Sequence, residues 1–180
     1  VLNSIALLKS NGIRCEIDDE RHVGDRLAVS FMGTLRLDQE AAVTAMLHSD
    51  FGVLCAPTAF GKTVTAAALI ARRGVNTLVL VHRQQLLDQW IERLSAFLGL
   101  PSSAIGRIDG GRRRPNGRID VALIQSLVHK GMVADQVADY GQLIVDECHH
   151  LPAQSFEQVA RRTKARFVVG LSATVERKNG

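Results

Sequence analysis

The sequence has too few cysteines, in the wrong arrangement, for a disulfide framework. Cys15, Cys55 and Cys148 are its three cysteines, an odd number, and no two of them have C-x-x-C spacing. Small secreted domains that depend on disulfides carry an even number of cysteines. The pattern argues against that class of protein and fits a reducing compartment, so we expect a cytoplasmic protein.

Long apolar runs are also missing. No run approaches the roughly 20 apolar residues that a helix needs to cross a bilayer. The amino end has no charged segment followed by an apolar block and a small-residue cleavage site. We therefore expect no membrane partner. An apolar share of 46% over 180 residues suits one ordinary domain with a real core, and the lack of a starting methionine suggests a piece of a longer chain.

Acidic residues are outnumbered, since 22 Lys and Arg stand against 18 Asp and Glu, for a net charge of +4. This balance is compatible with a polyanionic partner, but many ordinary domains are as basic. The most basic segment, 105–119, has five arginines among glycine, proline and asparagine: Arg107, Arg112, Arg113, Arg114 and Arg118. It predicts a loop that cannot bury itself. Either a solvated surface turn or a contact with a phosphate backbone fits it.

Gly61-Lys62-Thr63 stands between an apolar run at 53–55 and a helix-forming run at 64–71. Buried strand, loop and helix in this order cradle a nucleoside triphosphate: backbone N–H groups face the phosphates, the lysine reaches the β and γ oxygens, and the hydroxyl binds Mg²⁺. Ala56 replaces the first glycine of G-x-x-x-x-G-K-[ST], and Ala59 stands where many such loops have glycine. Taken alone, the segment also fits an accidental turn before a helix. The predicted nucleotide-binding residues are Thr58, Ala59, Phe60, Gly61, Lys62 and Thr63.

Five short apolar runs alternate with helical segments, which predicts a mostly parallel α/β sheet covered on both faces. The predicted strands are 53–55, 77–81, 119–124, 143–145 and 167–170. Each is followed by small, polar or charged residues, at 61–63, 82–83, 125–126, 146–147 and 172–174. Because ligands bind beyond the carboxyl ends of parallel strands, we expect all five clusters on one edge of the sheet.

The residues at this edge fit phosphoryl transfer to water, which needs positioning and charge neutralisation. Lys62 would neutralise phosphate oxygens, while Thr63 and Asp146 would hold Mg²⁺. Glu147 would orient or deprotonate the attacking water. A solvated acidic turn is the alternative for the two carboxylates. A zinc site at 148–150 is disfavoured because no second ligand pair stands at suitable spacing.

Gln39 and Trp90 each allow a structural and a functional interpretation. A helix is predicted to begin at Asp38 as its N-cap, which leaves Gln39 either solvated in the first turn or part of a binding site. Trp90 lies on an apolar stripe at helical spacing, so we expect it in the core rather than under a nucleic-acid base.

The amino-terminal segment, 1–33, carries no recognisable chemistry. It suggests a short helix over 4–9 with Gly12 as its left-handed cap, followed by two short strands at 14–17 and 27–31.

The polar clusters resemble the motifs of superfamily-two helicases and translocases. The segments at 56–63 (APTAFGKT), 146–149 (DECH) and 172–174 (SAT) are similar to motifs I, II and III, the second of the DEAH/DECH type. The segment at 35–39 is similar to the adenine-recognising glutamine motif. The segment at 81–86 is similar to motif Ia, and that at 120–127 to the next strand-contacting motif. The resemblance covers 35–180 and is nearest to the branch of type III restriction motors and XPB-like DNA translocases.

This resemblance implies a three-layer RecA-like P-loop NTPase domain over 35–180, with 1–34 as a small appendage. It implies ATP and Mg²⁺ as cofactors and movement along or opening of nucleic acid, with DNA favoured over RNA. By the same resemblance Gln39 would recognise adenine. Nucleic-acid contact is implied for Arg83, Gln125 and Ser126, and coupling of hydrolysis to domain movement for His149, Ser172 and Thr174.

Two other functions stay open on the sequence: a nucleotide-binding switch that moves nothing, and an RNA-directed helicase. The family's second RecA-like domain supplies an arginine finger and the other wall of the nucleotide cleft. We therefore expect this chain alone to bind nucleotide weakly and to hydrolyse it slowly or not at all.

Overall fold

The computed structural model describes residues 7–14, 16, 18–111, 113–129, 131–148 and 153–173. The strands are β1 (Phe51–Cys55), β2 (Thr77–Val81), β3 (Gly106–Ile108), β4 (Arg113–Arg114), β5 (Ile119–Leu123), β6 (Val128–His129), β7 (Met132–Val133), β8 (Gln142–Val145) and β9 (Phe167–Ser172). The helices around them are α1 (Leu37–Leu47), α2 (Lys62–Arg73), α3 (Gln84–Leu98), α4 (Ile124–Leu127) and α5 (Ala153–Arg162).

Seven strands form one sheet in the order β1-β9-β8-β2-β5-β3-β4, while β6 and β7 pair separately. Every neighbouring pair in the main sheet is parallel except β3 with β4. Parallel neighbours need crossover connections, and α2, α3 and α5 lie in these connections. The predicted α/β fold with a mostly parallel sheet is confirmed.

Helices cover both faces of the sheet. Within β2, Val79 and Val81 pack in the core with α2 and α3, whereas Leu78 and Leu80 pack in a second core with α4 and α5. Successive strand residues point to opposite faces, so a strand covered on both sides is apolar throughout, as the TLVLV of β2 is. The result is three layers. In the described part of the chain, no helix is long and apolar enough to cross a bilayer.

Strand β1 is an edge strand, and the prediction that its apolar run is buried is wrong. Phe51 is 56% exposed and Val53 is 65% exposed. Within the described residues β1 pairs with β9 alone, so its outer side has no neighbouring strand. Burial of a strand depends on its place in the sheet order, which apolar content does not reveal.

The prediction that the arginine-rich segment at 105–119 is a loop is wrong, because this segment contains β3 and β4. Strand β3 adds to the sheet beside β5, with Ile108 fully buried. Arg107, within β3, bonds to Asp88 and Asp109 at 2.6 Å each. These ion pairs let an arginine stand in a strand whose apolar neighbours reach the core.

The predicted strand at 27–31 is absent. The N–H of Leu27 donates to the carbonyl of Gly74, and that of Met32 donates to the carbonyl of Phe97. The segment thus satisfies its backbone against the ends of α2 and α3 rather than against a strand, and Leu27 is buried in the core.

The amino-terminal helix is present at 7–10, and Gly12 follows with a φ of +72°. Neither Arg14 nor Glu16 lies in a strand, and residues 4–6, 15 and 17 are outside the described residues. The division of the chain at 34 and 35 stays a prediction.

One buried amide holds the amino-terminal edge of the sheet together. Asn76 accepts the N–H groups of Asp25 and Gly141 at its Oδ1. Its Nδ2 donates to the carbonyls of Gly117 and Asp139. Three chain segments, at 25, 117 and 139–141, therefore meet at a side chain that is 2% exposed. Such a fully satisfied buried network fixes the relative positions of its members.

At this edge, replacing Gly141 by alanine is expected to destabilise the fold. A Cβ at Gly141 would lie 1.9 Å from the carbonyl oxygen of Val23, a backbone atom that cannot move freely. We expect Gly141→Ala to lower the free energy of unfolding in urea by roughly 1–3 kcal/mol. In Gly52→Ala the new Cβ has nothing within 4 Å, so this control should unfold like the wild type. Equal losses in both variants would contradict the close approach.

Candidate functional site

The polar residues that follow the strands lie on one edge of the sheet. In the parallel register Cys55 aligns with Ser172, and Leu80 aligns with Val145. The loop after β1, the carboxylates after β8 and the residues after β2, β5 and β9 therefore leave the sheet in the same direction. This is the edge at which open parallel sheets bind ligands.

A cleft of about 430 Å³ opens at this edge, within the range of small-molecule sites. Six of the residues proposed from the sequence line it: Thr58, Gly61, Lys62, Thr63, Asp146 and Glu147. Val64 and Ala173 line it as well, together with one face of α3. Lysine, hydroxyl and both carboxylates thus share one cavity.

The loop before α2 is shaped by a glycine in the left-handed conformation. Gly61 has a φ of +82° and is the N-cap of α2, which receives no hydrogen bond from a capping side chain. The first N–H groups of α2 are therefore left to face a ligand. Lys62 bends back over its own loop, and its Nζ donates to the carbonyls of Ala56 at 2.8 Å and Pro57 at 3.2 Å.

Gln39 is buried beneath this loop, at 2% exposure, so the interpretation as a solvated side chain is wrong. Its Nε2 donates to the carbonyl of Phe60 at 2.6 Å, and its Oε1 accepts the N–H of Arg36 at 3.0 Å. The helix begins at Leu37, with Arg36 rather than Asp38 as its N-cap. Asp38 lies in the first turn instead, because the side chain of Gln39 already accepts the N–H of Arg36 at the start of the helix.

Asp146 is a buried carboxylate with two hydrogen bonds from the protein. Its Oδ2 accepts the indole N–H of Trp90 at 2.7 Å, and its Oδ1 accepts the N–H of Glu147 at 2.9 Å. Burial raises the pKa of the Asp146 carboxyl, and these hydrogen bonds oppose the shift. Trp90 is in the core as predicted, at 2% exposure, but its contact with the carboxylate was missed.

Glu147 is held in a strained backbone conformation. Its φ of +46° is the only positive value for a non-glycine among the described residues. A left-handed conformation costs an L-residue roughly 1–2 kcal/mol, and such strain is concentrated at functional sites. The turn leaves the carboxylate partly exposed at the cleft, with its Oε2 3.5 Å from Nε2 of His82.

The residues proposed to contact nucleic acid lie on the same edge but do not line the cleft. Arg83 is exposed, and Gln125 donates to the carbonyl of His82 at 3.4 Å. The carbonyl of Ser126 accepts a hydrogen bond from the guanidinium of Arg113.

Among the coupling residues, Ser172 is buried and its hydroxyl donates to the carbonyl of Ala173 at 3.1 Å. His149 and Thr174 lie outside the described residues.

Sequence reasoning missed one wall of the cleft, which α3 supplies. This wall consists of side chains at helical spacing: Leu86, Gln89, Trp90, Arg93 and Phe97. The apolar stripe predicted Trp90 in the core and gave no sign of a cleft beside it. Gln89 and Arg93 lie three residues after Leu86 and Trp90, on the same side of the helix. Extending the stripe to its polar neighbours would have found them.

Comparison with known proteins now decides the family. Residues 32–177 match the family model described as "Type III restriction enzyme, res subunit". The chain belongs to this family. It is a first RecA-like domain of a superfamily-two helicase, in the type III restriction and XPB branch.

Curated relatives of this family member include two archaeal proteins. The chain is 33% identical over 168 residues to "Putative DNA 3'-5' helicase Rad25" of Halobacterium salinarum, covering 90% of this chain and 27% of the relative. It is 32% identical over 169 residues to "DNA 3'-5' translocase XPB2" of Sulfurisphaera tokodaii, covering 92% of this chain and 37% of the relative. The chain thus spans about a third of the length of these relatives.

Among solved structures, the UvsW helicase from bacteriophage T4 superposes with a TM-score of 0.71. At 19% identity, with 99% of this chain and 71% of that one covered, the match shows a shared fold.

In this helicase domain, Gly61→Ala is expected to disrupt the loop before α2. Alanine disfavours a φ of +82°, and its Cβ would lie 2.7 Å from Nε2 of Gln39. We expect the free energy of unfolding to fall by roughly 1–2 kcal/mol and amide exchange to speed up across 58–65.

The control for this variant is Gly110→Ala, because its Cβ would have nothing within 4 Å and its φ is not left-handed. Unchanged exchange across 58–65 in Gly61→Ala would show that the loop does not need its glycine.

Proposed function

We propose that this chain is the ATP-binding first motor domain of a DNA helicase or translocase that couples Mg-ATP hydrolysis to movement on DNA. The observation that carries the proposal is the convergence of Lys62, Thr63, Asp146 and Glu147 on one cleft. The motor domain spans 35–180 in this proposal, and 1–34 is an appendage. Free thiols at Cys55 and Cys148 support a reducing, cytoplasmic location.

The residues at the cleft fit a magnesium nucleotide. Thr63 and Asp146 offer the hard oxygen ligands that Mg²⁺ prefers. In the described part of the chain, no group of three His, Cys, Asp or Glu residues could hold a metal by itself. This suits Mg²⁺, which is bound through one or two protein groups together with phosphates and water. When bound, Mg²⁺ neutralises the charge that develops on the phosphate oxygens.

Each side chain at the cleft then has one task. Lys62 exchanges the carbonyls of Ala56 and Pro57 for phosphate oxygens, which are stronger acceptors because they are charged. Glu147 orients the attacking water or accepts its proton. The uncapped N–H groups at the start of α2 add positive potential. Thr58, Ala59 and Phe60 form the rest of the phosphate loop.

Gln39 is proposed to recognise adenine. Both ends of its amide already bond to the protein, to Phe60 on the loop and to Arg36 at the start of α1. Each end can form a second hydrogen bond, through the other N–H of Nε2 or the other lone pair of Oε1. An adenine bound there would be connected through Gln39 to the position of the phosphate loop.

Nucleic acid is proposed to lie along the remainder of the same edge, against Arg83, Gln125 and Ser126. His149, Ser172 and Thr174 are proposed to couple hydrolysis to domain movement. The curated relatives carry names of DNA helicases and translocases and are about three times as long as the matched part. A second RecA-like domain elsewhere in a longer chain is therefore part of the proposal.

Removing the proposed water-activating carboxylate should separate hydrolysis from binding. In a longer protein that includes a second RecA-like domain, Glu147→Gln is expected to lower kcat for ATP by about 100- to 10,000-fold. Binding of Mg-ADP should stay close to that of the wild type. Turnover is measured without nucleic acid, with DNA and with RNA, and the 180-residue chain alone should be slow in every case.

The matched control is Glu157→Gln, since that carboxylate pairs with Arg161 on the exposed side of α5. Wild-type turnover in Glu157→Gln is expected, and wild-type turnover in Glu147→Gln would refute the assigned role. Stimulation by RNA alone would favour an RNA helicase, and turnover that neither nucleic acid changes would favour a nucleotide switch.

We expect the exposed side chains of Arg113 and Arg114 in β4 to touch phosphates. Arg113 donates a hydrogen bond to the carbonyl of Ser126, which is itself proposed to contact nucleic acid. Replacing both arginines by alanine should reduce the slope of log affinity for duplex DNA against log salt by about 0.9 for each lost phosphate contact. The control is replacement of Arg161 and Arg162 of α5, which pair with Glu157 and Asp135. An unchanged slope in the first variant would make β4 ordinary surface.

A further inference from the structure

We propose that Trp90 positions the Asp146 carboxylate and thereby sets how much Mg²⁺ the nucleotide site requires. The inference rests on the proposed function and adds a cleft-lining residue to it. Trp90 is a positioning residue in this proposal because it would act through Asp146.

The geometry fixes the carboxylate at both oxygens. Nε1 of Trp90 donates to Oδ2 at 2.7 Å, a short hydrogen bond to a charged acceptor, while the N–H of Glu147 donates to Oδ1 at 2.9 Å. The N–H of Asp146 itself donates to the carbonyl of Leu80 in β2. Backbone and side chain of Asp146 are therefore both held, and two of the roughly four acceptor sites of a carboxylate are used.

The indole is itself buried. Trp90 is 2% exposed and lies on the buried face of α3 with Leu87, Leu94 and Leu98. A buried indole N–H needs an acceptor, and Asp146 Oδ2 is the one it has. Tryptophan and carboxylate thus hold each other in one orientation, and α3 is linked through them to the end of β8.

Hydrogen bonds to metal ligands tune the metal. Removing such an outer partner typically costs 10- to 100-fold in metal affinity. In Trp90→Phe the ring still fills the core, but the N–H is gone and Oδ2 is free to turn. We expect about a tenfold rise in the Mg²⁺ concentration that half-saturates Mg²⁺-dependent ADP binding. ADP binding measured in EDTA is the reference, because Trp90 also lines the cleft and any direct effect of the ring on ADP appears there.

Tyr140→Phe provides a matched control. The hydroxyl of Tyr140 donates to the carboxylate of Asp120, another buried aromatic–carboxylate pair. Asp120 lies near the start of β5 and Tyr140 just before β8, so this pair stands at the amino-terminal edge of the sheet. Both variants lose one buried hydrogen bond, but only Trp90→Phe should change the Mg²⁺ requirement, measured by calorimetry on the 180-residue chain.

The wild-type chain offers a second measurement that needs no variant. Trp90 is its single tryptophan, so the intrinsic emission reports on the indole bonded to Asp146. Mg²⁺ added to the ADP-bound chain should change this emission, because a metal on Asp146 weakens the carboxylate as an acceptor. Emission with ADP in EDTA is the reference, because Trp90 lines the cleft, and the expected signal is the further change when Mg²⁺ is added.

The outcomes separate the inference from the function on which it rests. Two results overturn the inference alone. One is a Mg²⁺ requirement in Trp90→Phe equal to that of the wild type, and the other is a tryptophan emission that Mg²⁺ does not change in a chain that binds Mg-ADP. Equal rises in Trp90→Phe and Tyr140→Phe also overturn it, since the effect would then be general destabilisation. A longer wild-type protein that includes a second RecA-like domain and binds no ADP with Mg²⁺ overturns the proposed function as well.

Discussion

The site depends on the parallel pairing of three strands, β1, β9 and β8. Strand β9 pairs with both of the others in register, so the phosphate loop after β1 and the carboxylates after β8 leave the same edge of the sheet. Strands stand about 4.8 Å apart, which puts one intervening strand and roughly 10 Å between the two backbones. That separation, fixed by backbone hydrogen bonds, determines how Lys62 and Asp146 come to face one cleft.

Around this cleft the fold tolerates several local costs. Asp146 is desolvated, Glu147 adopts a left-handed conformation, and Gly61 gives up the conformational freedom that glycine has in the unfolded chain. None of these features stabilises the sheet. They are concentrated in residues that hold the proposed nucleotide, whereas the opposite edge, around Asn76, is built of satisfied hydrogen bonds. The strained residues and the satisfied hydrogen bonds thus lie at opposite edges of the sheet.

The sequence revealed the parallel sheet and the shared edge because both follow from local patterns. An apolar run that ends in Asp146 and Glu147 predicts a buried strand with two carboxylates at its end. The bond from Trp90 to Asp146 could not be predicted, since helical spacing places the ring in the core but does not say what its N–H meets. The exposure of β1 was missed because it depends on strand order. Strands β3 and β4 were not predicted because their segment is rich in arginine and glycine and lacks an apolar pattern. Arg107 is accommodated in β3 by its ion pairs.

The open side of β1 has a consequence for how this domain behaves in concentrated solution. In the described part of the chain, the outer row of β1 N–H and C=O groups has no strand beside it, and Val53 is exposed on its surface. A flat, apolar strand edge is a template onto which another strand can add, and proteins commonly shield such edges with charge, proline or a covering segment. At the start of β1, the guanidinium of Arg21 lies 5.2 Å from the centre of the Phe51 ring. Self-association through β1 is therefore the characteristic risk for this domain when it is handled by itself, and a solubilising charge at Val53 is the direct remedy.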